Sequence, residues 1–162
     1  MMAPQMSPAA GVVDILAFGA HPDDVELAAS GTLIRAARAG AKTGVISLTR
    51  GEMGTRGTLA IRVAEFDAAT AIMGVSHHEM LSLLDGRLTV DETSREAVIR
   101  EIREHRPRVI LLPYWEDRRR DTGQEPHRPS QLIYYMSTWE FDPSFIVDVS
   151  GVIEEKRRTL QA

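Results

Sequence analysis

The stretch AFGAHPDDVEL, residues 17–27, sets one histidine and three acidic side chains within six positions, directly after an apolar run. His21 and Asp24 are three residues apart, so in a first helical turn both can aim at one point. A neutral imidazole and a carboxylate are suitable ligands for zinc, which in catalytic centres takes three protein ligands and keeps a position for water. Asp23, between them, could stand beside that water as a base. A plainer reading competes. Pro22 suits a first helical turn, and acidic residues there complement the helix dipole. Capping accounts for Pro-Asp-Asp but not for His21, whose imidazole favours neither a buried strand end nor the positive end of a dipole. On these residues alone both readings stand.

The surrounding elements must present this turn. Val12–Gly19 is a short β-branched and apolar run, read as a buried strand. Val25–Ala39 reads as a helix, with Gly40 placed to end it in the left-handed conformation. Lys42–Thr49 is a second strand, followed by the glycine-punctuated loop RGEMGTRGT. Leu59–Met73 follows as a helix closed by Gly74. Glu79–Leu83 is a short strand leading into LLDGRL, Asp91–His105 a charged amphipathic helix, and Arg108–Pro113 another apolar strand. Tyr114–Pro129 is polar and aperiodic. Leu132–Met136 and Phe145–Val149 look like strands, and a last helix starting near Ser150 runs to the end without a stop signal, as though cut. This alternation predicts an α/β fold: a single Rossmann-like domain with a mainly parallel sheet flanked by helices, spanning 12–162 behind a flexible leader at 1–11. In such a sheet ligands bind beyond the carboxyl ends of the strands, where His21-Pro22-Asp23-Asp24 sits.

Composition narrows the partners. The 162 residues carry 43% hydrophobic and 26% charged side chains and a formal net charge of −4, an ordinary soluble balance with no electrostatic footprint for nucleic acid. No apolar run approaches the roughly 20 residues of a membrane span. The leader lacks the basic start and apolar core of a signal peptide, so the cytoplasm is the default expectation. Without cysteine, any metal must use His, Asp or Glu.

AFGAHPDDVEL, RGEMGTRGT, IRVAEFDAATAIMGV, LLDGRL, RPRVILLPYWED and FIVDVS, taken together and in order, resemble the LmbE-like (PIG-L) zinc N-deacetylases. The resemblance covers nearly the whole chain from Val12. It is closest to the bacillithiol-pathway branch, which removes acetyl from N-acetylglucosaminyl-malate. It implies that His21 and Asp24 bind Zn2+ and that Asp23 is the general base for water. An amide is a poor electrophile, and zinc both acidifies water and polarises the carbonyl. The resemblance further implies that Arg62 reaches the sugar or its acidic aglycone and that Asp85 bonds sugar hydroxyls. Read without it, Arg62 is an exposed helical arginine pairing with Glu65, and Asp85 is a turn residue before Gly86. The expected partner is a small GlcNAc conjugate, with no nucleic acid and no membrane, and the family resemblance suggests a homo-oligomer such as a hexamer.

The pattern departs in one place. The family's third ligand lies in an H-P-D-H motif directly after the segment that here reads YWEDR, and this chain continues RRDTGQEPHRPSQLIYYM. His127 falls in the part that matches the approach to the next strand, not the ligand. The expectation is a segment missing between Asp117 and Thr122. The competing reading is a non-catalytic sugar- or metal-binding homologue that kept His21 and Asp24. A nucleotide site is disfavoured, because Gly51, Gly54 and Gly57 follow the second strand and no G-x-G-x-x-G follows the first. His77 and His78, ahead of a strand at the far edge of the sheet, and His105, at a helix end, read as structural or solvated.

Overall fold

Five strands form one sheet in which every pairing is parallel: β1 (Ile15–Gly19), β2 (Thr43–Thr49), β3 (His77–Leu83), β4 (Val109–Pro113) and β5 (Gln131–Tyr135), in the order β3-β2-β1-β4-β5. The computed structural model describes residues 12–55, 57–113, 129–136 and 141–162. The helices are α1 (Asp24–Ala28), α2 (Ser30–Arg38), α3 (Leu59–Met73), α4 (Glu92–His105) and α5 (Ile153–Thr159), the last preceded by a 3-10 turn at Ser150–Val152. None of the described helices is long and apolar enough to cross a membrane.

Strand periodicity explains the layers. On β1, Leu16 and Phe18 face a cluster with Val13, Ile46, Leu81 and Ile110, covered by Val98 and Ile102 of α4. Ala17 faces the opposite cluster, where Val25, Leu33, Phe66, Met73 and Val152 bring in α1, α2, α3 and the 3-10 turn before α5. Both faces are therefore buried, as an all-parallel sheet requires. Chain order runs outward from β1 to β3 on one side and then returns to β4 and β5 on the other. The reversal falls between β1 and β4, and it is at the carboxyl ends of the strands beside such a point that open α/β sheets take their ligands.

Several elements differ in detail from the sequence expectation. The single helix expected over Val25–Ala39 is two. It breaks at Ala29 (φ −120°, ψ −4°), where Ser30 returns its hydroxyl to the Glu26 carbonyl at 2.5 Å, a back-bond that bends helices. The Asp91–His105 helix starts one residue later because Asp91 caps it, accepting from the Ser94 amide in a capping box. β3 begins two residues earlier than expected, so His77 and His78 lie within it. Phe145–Val149 is not a strand. Arg35 of α2 donates to the Asp148 carbonyl and Arg38 to that of Gly151, while Val149 packs so closely on Gly31 that a Cβ there would lie 2.8 Å from Val149 Cγ1. Helix α2, not a neighbouring strand, takes up that backbone.

Candidate active site

The turn after β1 is built by its own carboxylate. Asp24 Oδ2 accepts from the backbone amides of Ala20 at 2.8 Å and His21 at 3.0 Å, and Thr49 at the end of β2 donates its amide and hydroxyl to the Ala20 carbonyl. Of the plainer reading, the first-turn acids are present as Asp24 and Glu26, but the side-chain cap is not. Asp23 occupies the N-cap of α1 but makes no side-chain cap bond, and the Asp24 carboxylate reaches back into the turn.

Asp85 joins three loops. Its Oδ1 lies 2.9 Å from His21 Nε2 and its Oδ2 accepts from the Met53 amide at 3.0 Å, while its own amide donates to Glu52 at 2.8 Å. Burial acts to raise the Asp85 pKa, yet the Met53 amide and the His21 ring outweigh it and hold the carboxyl below its ordinary value. Asp85 is thus engaged with the His21 ring, where the family resemblance pointed to sugar hydroxyls. A carboxylate on one imidazole nitrogen fixes the tautomer and turns the other toward a metal. Here that other atom, Nδ1, faces Asp24 Oδ2 across 3.7 Å. Tetrahedral zinc with bonds of about 2.0–2.2 Å holds neighbouring donors roughly 3.4 Å apart, so His21 and Asp24 fit two ligand positions. No third His, Asp or Glu completes a three-ligand set with them among the described residues.

Arg62 lies on α3, whose N-cap Thr58 accepts from the Ile61 amide. Its side chain crosses the turn at Gly51–Gly54, and a Cβ on Gly54 would fall 2.0 Å from Arg62 Nη2. Two of the three glycines that could be read as a phosphate cradle, Gly51 and Gly54, make room for a guanidinium. That guanidinium acts electrostatically on Asp23. Loss of hydration raises the Asp23 pKa most, although much of the side chain still meets solvent. Asp24 raises it further, His21 and Arg62 oppose, and the balance stays above the ordinary carboxylate value, the direction that suits a general base.

Glu26 was not singled out by sequence reasoning. It is 4% exposed, with no hydrogen-bond partner for either carboxylate oxygen among the described residues, and burial pushes its pKa up to about 7. Only its place on the inward side of a helix just past His-Pro-Asp-Asp could have drawn notice. Between about pH 4.5 and 7 the metal-free fold holds a proton here that the unfolded chain has released. Stability should therefore be fully present below about pH 4.5 and be lost as pH rises through about 7, a contribution of order 3 kcal/mol. Urea midpoints at pH 5 and 8 should converge on replacing Glu26 with Gln; an unchanged gap between them would assign the slope elsewhere.

The structure therefore gathers His21, Asp23, Asp24, Arg62 and Asp85 around the end of β1. Arg56, Tyr114, Trp115, Arg118–Arg120, His127, the leader and the expected gap between Asp117 and Thr122 lie outside the described residues. A cavity of about 700 Å3 lies elsewhere, lined in part by Ala28, Gly31, Tyr135, Phe145 and Lys156, and none of the five lines it. His78 is exposed and bonds Asp67 at 3.0 Å, whereas His105, read from the sequence as structural or solvated, is buried. Its carbonyl accepts from the Val13 amide, which draws the helix end under the sheet.

Residues 16–130 match the sequence pattern of the PIG-L family, described as GlcNAc-PI de-N-acetylase. The chain belongs to this family. One PIG-L relative, the diacetylchitobiose deacetylase of Thermococcus kodakarensis, is 26% identical over 186 residues, covering 93% of this chain and 68% of that protein. The crystal structure of the conserved protein TT1542 from Thermus thermophilus superposes with a TM-score of 0.85 at 33% identity, over 92% of this chain and 77% of that one. GalB of Pseudomonas putida, a 4-carboxy-2-hydroxymuconate hydratase, shares the fold with a TM-score of 0.76 at 18% identity, over 93% and 77% of the two chains. The same fold thus hosts more than one chemistry, and function has to be argued from the site.

Proposed function

We propose that this chain is a zinc-dependent N-deacetylase of a GlcNAc conjugate such as the N-acetylglucosaminyl-malate of bacillithiol biosynthesis, acting in the cytoplasm as a homo-oligomer. The observation that carries the reading is the His21–Asp24 pair at the topological switch point, with Asp85 bonded behind the imidazole. Zinc, when bound by His21 and Asp24, would polarise the amide carbonyl and lower the pKa of water. Asp23 takes the proton from the attacking water and returns it to the leaving nitrogen. Water adds to the carbonyl carbon, the C–N bond breaks, and the products are acetate and a free amine. Arg62, held beside Asp23, meets the carboxylates of the aglycone.

A second reading has its own support: with no third ligand among the described residues, the chain could be a sugar- or metal-binding homologue without turnover. The Thermococcus alignment bears on this. It spans 186 positions, yet 93% of 162 residues is only about 151, so some 35 positions face residues this chain does not carry. That supports the expectation of an absent internal segment. Amine release from N-acetylglucosaminyl-malate, measured with zinc content, separates the readings. One zinc at this pair with steady turnover supports the enzyme, and metal without amine release supports the homologue. If turnover is found, Arg62→Ala should raise KM for the malate conjugate about 10- to 100-fold and change plain N-acetylglucosamine little. The loss corresponds to one charge-assisted hydrogen bond of about 1.5–3 kcal/mol. Equal losses on both substrates would move Arg62 to the sugar.

A further inference from the structure

At the opposite end of the sheet, His77, Glu101 and His105 each place one ligand atom within 4.8 Å of the others. His77 is the first residue of β3, and Glu101 and His105 stand one turn apart near the end of α4. The cluster is a strand's length from the His21 turn, on the order of 20 Å for seven residues. His105 is 1% and Glu101 5% exposed. His77 Nε2, Glu101 Oε2 and His105 Nδ1 are all buried without a hydrogen-bond partner among the described residues. The nearest approaches are His105 Nε2 to Glu101 Oε2 at 3.4 Å and His77 Nε2 to Glu79 Oε2 at 4.0 Å. The two imidazoles face each other with centroids 3.9 Å apart.

We infer that His77, Glu101 and His105 form a second metal site, for a zinc-class divalent cation, that pins the end of helix α4 to the start of strand β3. Two imidazoles and one carboxylate are a borderline donor set suited to zinc, and a ligand pair four apart on a helix shares one face. Buried polar atoms without partners are costly. A cation held among the three side chains would give this buried cluster a shared partner, and Glu79 adds negative charge near Glu101. This site does not depend on the activity proposed for the His21 turn.

The test uses the full chain, metal-stripped, exposed to zinc and dialysed, with bound metal counted by elemental analysis. His21→Ala/Asp24→Asn should still retain about one zinc, and adding His77→Gln should remove it while circular dichroism stays unchanged. A folded His21→Ala/Asp24→Asn chain with no zinc would overturn the site, and so would undiminished zinc after His77→Gln. Should these variants fail to fold, 15N spectra of the wild-type imidazoles decide. Zinc-dependent shifts of His77 and His105 support the site, and unmoved resonances reject it.

Discussion

Asp23→Asn is expected to leave zinc binding unchanged and to lower amide hydrolysis about 10²- to 10⁴-fold, the usual worth of a positioned general base. The asparagine keeps the size of the side chain and removes its ability to take a proton. Asp23 is also the one carboxylate of the turn that is free of the backbone bonds holding Asp24, so the fold should not notice the change. Parallel measurements of zinc content and single-turnover amine release check it. Retention of most of the rate would remove Asp23 from this role, and loss of metal would make it a ligand.

His21→Ala is expected to abolish zinc binding at the strand-end turn, and with it all turnover. A smaller version of the loss should follow Asp85→Asn, which keeps a hydrogen-bonding group behind the ring but not its charge. Partners of this kind are typically worth 10- to 100-fold in metal affinity. Competition titration against a chromophoric chelator, on chains also carrying His77→Gln, isolates this site. Full affinity in His21→Ala would sink the ligand assignment. An unchanged affinity in Asp85→Asn would reduce Asp85 to a brace for the loops.

How far the chain could be read without coordinates differed by feature. Helix α3 matched its expected bounds, Leu59–Met73, because a cap at Thr58 and a left-handed Gly74 bracket it chemically. The parallel sheet followed from apolar runs separated by helices. By contrast, the Phe145–Val149 run has a strand's composition, yet its Asp148 carbonyl is taken by Arg35, more than a hundred residues away. No local pattern carries that information. The same holds for the site. His21 and Asp24 announce themselves by spacing, whereas the bond from Asp85 to His21 spans 64 residues and is visible only once β1 and β3 flank β2. Glu26 drew no notice, and His77 and His105 were left as structural or solvated, for a related reason: whether a titratable residue keeps its water is decided by packing.

The three loops that meet at Asp85 leave from β1, β2 and β3, and one carboxylate fastens all of them. Anyone redesigning this protein for a new substrate inherits that fastening. Transplanting the loop after β2 alone would discard the Met53 amide and Glu52, loosening the imidazole on a different loop before any new contact had formed. Specificity and reactivity are therefore inherited together here, and exchange should proceed by whole loop triplets or stop short of residues 52, 53 and 85.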